Sequence, residues 1–147
     1  MAFQPSYYCD MHVIGASIDI AVSATNTWYP IPSGSGLVSS DHNGWTLSGG
    51  NTLTCNEAGV YQLTLTASVQ CASANQLISL TYAQNGTGST NVTAQSELVD
   101  SGKLYQLAVT DINSFSNGDT LTIVLQNNTA IHDLTVVNVT LTVVRLK

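Results

Sequence analysis

The residues of this chain that could hold a metal ion lie far apart in the sequence. Cys9 and His12 have the C-x2-H spacing of half a zinc site, but zinc takes four ligands, which usually come as two closely spaced pairs. The other cysteines and histidines form no second close pair; they are His42, Cys55, Cys71 and His132. We therefore expect no metal and no cofactor, and we interpret Cys9 as a small buried apolar side chain.

Nucleophilic catalysis has equally little support in the sequence. His132 and Asp133 are adjacent, and a serine beside them would complete a hydrolase triad. However, no Gly-x-Ser-x-Gly turn identifies a nucleophilic serine, and no cysteine is placed beside a base. We interpret His132 and Asp133 as residues of a solvated turn.

Paired carboxylates would be needed for glycoside hydrolysis. Most of the nine Asp and Glu residues fall at expected turns or strand ends, where carboxylates are solvated. Asp19 is the exception, because it lies in the middle of an apolar segment. We expect its side chain to face outward or into a subunit contact, with Arg145 or Lys147 as its partner. The sequence therefore predicts that the chain has no catalytic residues and is not an enzyme.

Three aromatic residues form the best candidate for a ligand platform. Trp28, Tyr29 and Trp45 lie in the segment 26–51, which is punctuated by Pro and Gly residues and is expected to be mostly loop. Aromatic rings in loops can stack on sugar rings, so the ligand of such a platform would be a glycan. The alternative is that these rings close the end of the domain or lie in a subunit contact.

Charge excludes several classes of partner. The formal net charge is −6, and Lys and Arg together number three. Binding to nucleic acid or to anionic lipid needs several cationic contacts, so neither partner is expected. Charged residues make up 8% of the chain, against about 25% in typical soluble proteins. This favours a surface that is largely covered by subunit contacts, although strand faces built from Thr and Ser would also lower the charge.

The elements that position these residues are predicted to be β-strands. In the segment 53–69, Tyr61, Leu63 and Leu65 alternate with polar residues, which is the period of a half-buried strand. Further alternating segments are separated by turn residues such as Asn85-Gly86. We predict an all-β domain of about eight to ten antiparallel strands, arranged as a β-sandwich or jelly roll. Residues 1–11 are predicted to be an irregular docking arm, and residues 12–147 the jelly-roll domain.

The compartment follows from the termini and the cysteines. The first residues lack the basic and apolar regions of a signal peptide, and no apolar run is long enough to span a membrane. We therefore expect folding in a cytoplasm, with Cys9, Cys55 and Cys71 as buried free thiols. A disulfide between Cys55 and Cys71 is the alternative.

The order of the motifs resembles the jelly roll that the tumour necrosis factor family shares with the globular head of the complement recognition subunit. Glu57-Ala58-Gly59-Val60-Tyr61 is similar to the turn that opens the family's long strand. A strand ending in Asn85-Gly86 follows, and Gly118-Asp119 precedes an alternating apolar strand. The likeness extends from about residue 13 to residue 147.

This resemblance implies a homotrimer, because similar domains meet through inner-strand side chains near a threefold axis. The side chains that it implies for the trimer contact are Tyr61, Leu63, Leu65, Val137, Val139 and Leu141. Tyr61 belongs either to the core or to this contact, and the family likeness favours the contact.

The charge-poor composition, rich in Thr, Ser and Asn, resembles that of bacteriophage structural proteins. We expect a decoration or cement protein of the virion, made in the host cytoplasm, that binds the major capsid protein through Phe3, Tyr7 and Tyr8. The alternative is a receptor- or glycan-binding tip of a phage fibre. A tip needs a shaft, and because the domain accounts for nearly the whole sequence, the decoration role is favoured.

Overall fold

The computed structural model describes residues 6–147, and within them all regular secondary structure is β-strand. This part of the chain contains thirteen strands, three of which span only two residues. In chain order they are β1 (Tyr8–Val13), β2 (Ile18–Ile20), β3 (Tyr29–Pro30), β4 (His42–Asn43), β5 (Trp45–Ser48), β6 (Thr52–Cys55), β7 (Gly59–Cys71), β8 (Gln76–Gln84), β9 (Thr87–Gly88), β10 (Ala94–Leu98), β11 (Tyr105–Phe115), β12 (Thr120–Asn127) and β13 (Leu134–Arg145). Over the same residues, no helix is long and apolar enough to cross a membrane.

The strands form two antiparallel sheets. The first sheet has the order β11-β7-β13-β1-β4, with β2 also paired to β13, and the second has the order β10-β8-β12-β6-β5, with β3 paired to β12 and β9 to β8. Neighbouring strands are mostly distant in sequence, as the crossovers of a jelly roll require. The apolar faces of the two sheets meet in one core, so the predicted all-β jelly-roll sandwich is confirmed.

The central strand of the first sheet is β7, which pairs with β11 on one side and with β13 on the other. Its apolar side chains, from Tyr61 to Val69 at every second position, are at most 2% exposed. The intervening Gln62, Thr64 and Thr66 are exposed on the opposite face. The alternation in the sequence therefore corresponds to one face in the core and one face outside it.

An aromatic cluster fills one end of the core. The Trp45 ring lies 5.1 Å from that of Tyr61 and 5.4 Å from that of Phe115, both in edge-to-face geometry. Tyr82, from the second sheet, lies 6.5 Å from Phe115. Such pairs stabilise a core by roughly 0.5–1.5 kcal/mol each beyond the area that they bury.

The Asn85-Gly86 turn is confirmed as a tight hairpin connection between β8 and β9. Both residues have positive φ, 52° and 80° respectively. This is the requirement of a two-residue turn whose twist matches that of the flanking strands.

The first strand begins before the predicted domain boundary at residue 12. Tyr8–Val13 pairs with β13, with Cys9 opposite Val143 and Met11 opposite Leu141. Cys9 and Met11 are almost completely buried. Residues 8–11 therefore belong to the sheet and not to an irregular arm, because their short alternation places two apolar side chains in the core.

Candidate functional surfaces

The Cys9–His12 pair cannot bind one ion in this structure. The two residues are three positions apart on β1, so their side chains lie on opposite faces of the strand. The Cys9 thiol is buried, which raises its pKa and keeps it protonated. Within residues 6–147, no three side chains of His, Cys, Asp or Glu are grouped as metal ligands.

The His12 ring instead forms part of a hydrogen-bonded cluster around Asp10. His12 Nδ1 lies 2.6 Å from Asp10 Oδ2, and Asp10 Oδ1 accepts hydrogen bonds from the backbone amides of Ser40 and Asp41 at 2.9 Å. Burial raises the pKa of Asp10, but the hydrogen bonds from Asp41, His12 and Ser40 outweigh it and lower the pKa. This carboxylate ties β1 to the loop before β4. The sequence contains no signal for this contact, because the partners are about 30 residues apart.

His132 and Asp133 have structural roles. The Asp133 carboxylate accepts a hydrogen bond of 2.8 Å from the backbone amide of Val22, and the Asp133 carbonyl oxygen accepts one from the Cys71 thiol. The His132 carbonyl oxygen accepts a hydrogen bond from the Asn127 side chain. These contacts fix the turn that leads into β13.

Asp19 faces outward, as predicted, but its partner differs from the prediction. Its Oδ1 atom accepts a hydrogen bond of 3.3 Å from the Thr135 hydroxyl on the neighbouring strand. Arg145 lies at the opposite end of β13, with its guanidinium carbon 5.0 Å from the centre of the Tyr7 ring. The length of β13 therefore separates Asp19 from Arg145.

The three cysteines are free and buried, as expected. Burial raises the pKa of the Cys55 thiol, which donates a hydrogen bond to the Glu57 carbonyl oxygen. Protonated, enclosed thiols are poor nucleophiles.

Most of the side chains that the resemblance implied for a trimer contact lie in the core of the single chain. Their exposed fractions are 0–1%; they are Tyr61, Leu63, Leu65, Val139 and Leu141. A side chain already buried within one chain has no area left to bury against a second copy. Burial also raises the pKa of Tyr61 to about 12. These five positions are therefore corrected to core residues, whereas Val137, beside a β-bulge, is only half-buried.

The opposite side of the same three strands forms what we call the uncharged face. It consists of Gln62, Thr64, Thr66 and Ser68 on β7, Gln106, Ala108, Thr110, Ile112 and Ser114 on β11, and Asn138, Thr140, Thr142 and Val144 on β13. None of these face residues, all within the described part of the chain, is Asp, Glu, Lys, Arg or His.

A shallow depression lies in the middle of the uncharged face. It has a volume of about 130 Å³ and lies at the bulge in β13, between Val136 and Asn138. Ser68 at its base is 2% exposed, and its hydroxyl accepts hydrogen bonds from the side-chain amides of Gln106 at 2.7 Å and Asn138 at 3.4 Å. This row of hydrogen bonds joins the three strands across the face.

The three predicted platform aromatics are separated in the structure. Trp45 is 2% exposed in the aromatic cluster, so it cannot contact a ligand and is corrected to a core residue. The Tyr29 hydroxyl accepts hydrogen bonds from the backbone amides of Ser23 and Ala24 at 3.2 and 2.9 Å, which holds the preceding loop. Trp28 is half-buried and available at the surface.

Trp28 forms one wall of a groove on the outer face of the second sheet. The groove has a volume of about 300 Å³; it is lined by Trp28, Pro30, Asn51, Thr52, Ala83, Gly86, Thr120, Thr122 and Val124. We call it the Trp28 groove. It lies on the side of the sandwich away from the uncharged face.

The predicted docking aromatics have different surroundings. Phe3 lies outside the described residues. Tyr7 packs against the core and under the Arg145 guanidinium, whereas Tyr8 is 40% exposed beside Val144 at the edge of the uncharged face. Of the described pair, Tyr8 offers more surface to a partner.

The sequence matches no protein-family model and no curated protein. The fold, by contrast, has many counterparts among solved structures. The class defined by these matches is the jelly roll of the tumour necrosis factor family and the complement globular head, so the suspected resemblance is confirmed at the level of fold.

Three of these structures illustrate the likeness. The Eiger TNF of S. frugiperda has a TM-score of 0.69 at 14% identity, over 98% of this chain and 94% of that chain. Murine APRIL at pH 5.0 gives 0.62 at 12% identity, over 95% and 99%. The globular domain of zebrafish complement 1qA protein gives 0.59 at 10% identity, over 96% and 98%. Identities this low show a common fold alone.

Proposed function

We propose that this chain is a non-enzymatic assembly module that acts as a homotrimer. The observation that carries the proposal is the uncharged face, which extends across β7, β11 and β13 without one charged side chain. Well-behaved monomer surfaces are roughly 25–35% charged. Across these three strands a neighbouring copy meets no ion to desolvate. Asp10 and His12 on β1 border the face beside Thr142 and Thr140.

The residue types on the uncharged face also suit a contact between subunits. Ile112 and Val144 are 59% and 48% exposed, and covering them removes apolar area from water. Thr and Gln side chains can exchange hydrogen bonds with water for hydrogen bonds with another chain. Three copies related by a threefold axis would close a ring and leave no open contact.

Within this class, we propose that the trimer decorates a bacteriophage capsid and binds the major capsid protein. Support comes from the composition, which is poor in charge and rich in Thr, Ser and Asn, and from the exposed Tyr8 at the edge of the uncharged face. Binding to the assembled shell alone would stabilise the shell by mass action. Three identical contacts on one trimer would add to this through effective concentration.

The trimer is tested by sedimentation equilibrium of the wild-type chain and of Thr66→Lys, which places a cation in the centre of the uncharged face. We expect the wild type to sediment as a trimer and the variant as a folded monomer. Thr87→Lys, an exposed position of the β8–β9 hairpin, is the matched control and should remain trimeric. A wild-type monomer would contradict the proposal.

The capsid role is tested separately, by co-sedimentation with capsids assembled from the major capsid protein encoded in the same genome. We expect saturable binding that is weakened by Tyr8→Ala. If a wild-type trimer does not bind such capsids, the decoration role is wrong while the assembly state still holds.

A further inference from the structure

A second candidate surface lies on the other side of the sandwich from the uncharged face. The floor of the Trp28 groove is formed by the outer sides of β8 and β12, where Ala83 is paired with Thr122, and Pro30 on β3 is paired with Val124. A trimer that closes through the first sheet would leave this groove open to solvent. Its use is therefore independent of the proposed assembly.

The indole ring of Trp28 packs against the backbone of Gly88, which has no side chain. A Cβ atom at Gly88 would lie 2.9 Å from Trp28 Cδ1 and 3.0 Å from Trp28 Nε1, closer than real Cβ contacts. Gly88 is not among the glycines with positive φ, so its backbone does not require glycine. We infer that position 88 lacks a side chain because the five-membered ring of Trp28 lies against it. The wall of the groove is thus formed before any ligand arrives.

The polar lining of the groove is entirely neutral over the described residues. It provides the hydroxyls of Thr52, Thr120 and Thr122 and the amide of Asn51. Asn51 is oriented by a hydrogen bond from its Nδ2 atom to the Ile31 carbonyl oxygen at 2.9 Å. The Thr52 hydroxyl donates to Asn51 Oδ1 at 2.9 Å and can only accept from a ligand. Within residues 6–147, the Thr120 and Thr122 hydroxyls make no hydrogen bond to the protein, so they can donate to a ligand.

The apolar lining is interspersed with these polar groups, since Ala83 is paired with Thr122 and Val124 follows two residues later on β12. Ala83 and Val124 are 1% and 4% exposed, so Trp28 and Pro30 supply most of the carbon surface. A ligand that fits must therefore have an apolar face and a polar edge, and it must carry no charge, since no lining side chain would balance one. A volume of about 300 Å³ is at the small end of ligand sites and suits one or two rings.

We propose that the Trp28 groove binds a neutral sugar unit of a glycan. The C–H face of a pyranose ring stacks on the indole, and its hydroxyl edge hydrogen-bonds to Thr52, Thr120 and Thr122. Sugars with a carboxylate or phosphate are disfavoured, because burying their charge in this lining would have no compensating partner. One site binds weakly, and a trimer would strengthen attachment to a surface that carries many copies of the glycan.

The experiment uses the two tryptophans as separate reporters. In a ¹⁵N–¹H spectrum of the full chain, Trp28 and Trp45 each give one indole N–H signal, and Trp28→Phe assigns them. Glucose, galactose, mannose and N-acetylglucosamine are titrated in turn, with sialic acid as the charged comparison. We expect at least one neutral sugar to shift the Trp28 signal saturably and to leave the signal of the buried Trp45 unchanged.

Two variants test the groove, each with a spectrum that reports folding. Gly88→Ala should displace the indole and weaken sugar binding at least tenfold, and Thr122→Val should weaken it through the lost hydroxyl. Thr87→Ala, next to Gly88 but outside the groove lining, should bind like the wild type. The proposal is overturned if no neutral sugar shifts the Trp28 signal up to its solubility limit. It is also overturned if sialic acid binds in place of neutral sugars, or if both variants bind normally.

Discussion

The hydroxyl of Tyr82 on β8 donates a hydrogen bond of 2.6 Å to Asp111 Oδ2 on β11, which joins the two sheets of the sandwich directly. Asn113 extends the link, because its Nδ2 atom donates to the Tyr82 hydroxyl at 3.0 Å and to Gln84 at 2.9 Å. Burial, followed by the hydrogen bond to Asp111, raises the pKa of Tyr82.

Removal of this hydroxyl is expected to weaken the domain without changing its shape. Tyr82→Phe should lower the free energy of unfolding by about 1–2 kcal/mol, because it leaves Asp111 Oδ2, on a partly buried carboxylate, without its donor. Urea denaturation measures this change. The slope of the free energy of unfolding against urea concentration should stay the same. Tyr8→Phe, at an exposed tyrosine, is the control. Equal stability of both variants would contradict a structural role for the link.

Substitutions on the two faces of β7 are expected to have different effects, on stability for the core face and on association for the outer face. Leu65 is 1% exposed in the core, so Leu65→Ala should lower the free energy of unfolding by about 2–5 kcal/mol. This loss should be present even in Thr66→Lys protein that does not associate, because the cavity forms within one chain. A Leu65→Ala variant that is fully stable as a monomer but does not trimerise would return Leu65 to the subunit contact.

The sequence predicts the sandwich because burial of one sheet face imposes the period of two. It cannot decide which face of β7 would be covered in the proposed trimer. Tyr61 and Leu65 alternate with Thr64 and Thr66 in the same way whether the apolar side lies in a core or in an interface. The low charge of the whole chain was the available signal for a covered surface. The low charge fits the Thr-rich face. From the sequence alone, this face would be interpreted as exposed to solvent.

The separation of Trp28 from Trp45 depends on contacts that are distant in sequence. Trp45 is buried because Tyr61 and Phe115 come to the same end of the core. Trp28 is positioned by Gly88, 60 residues further along. The loop composition indicates that both tryptophan rings pack against some surface, but it does not predict which residues each ring contacts.

Gly59 is expected to be required for space and Gly15 for conformation. A Cβ atom at Gly59 would lie 2.5 Å from Arg145 Nε and 2.8 Å from the Lys147 carbonyl oxygen, whereas one at Gly15 would meet no atom within 4 Å. Gly59→Ala should therefore disturb the end of β13 and lower the free energy of unfolding by about 1–3 kcal/mol.

Gly15→Ala is the matched comparison, because Gly15 has a φ of 65°. It should cost about 1 kcal/mol through backbone strain alone. Hydrogen exchange distinguishes the two causes. Gly59→Ala should speed exchange of the Leu146 amide, which donates to the Val60 carbonyl oxygen, and Gly15→Ala should not. Unchanged exchange at Leu146 in Gly59→Ala would contradict the proposed crowding.

At acid pH we expect the contact between the Asn85-Gly86 turn and the turn before β12 to weaken, because the Asp119 carboxylate joins the two turns. Its carboxylate accepts hydrogen bonds from the Asn85 side chain at 2.9 Å, from the Ser116 amide at 2.8 Å and from the Gln84 side chain at 2.9 Å. These donors, Asn85 first, lower the pKa of Asp119 from its ordinary value of 3.8. A carboxyl whose pKa is lower in the folded chain stabilises the fold above the unfolded-state pKa and loses this contribution as the pH falls through the folded-state pKa.

The stability that depends on Asp119 should therefore be complete at neutral pH and should decline below about pH 4. Asp119→Asn should lower the free energy of unfolding at pH 7 and should reduce the loss of stability between pH 5 and pH 2, relative to the wild type. Glu97→Gln removes the same charge from an exposed position and serves as the control. Urea denaturation at several pH values measures all three proteins. If Asp119→Asn lost as much stability in acid as the wild type, the carboxylate would not couple the β8–β9 hairpin to the turn before β12.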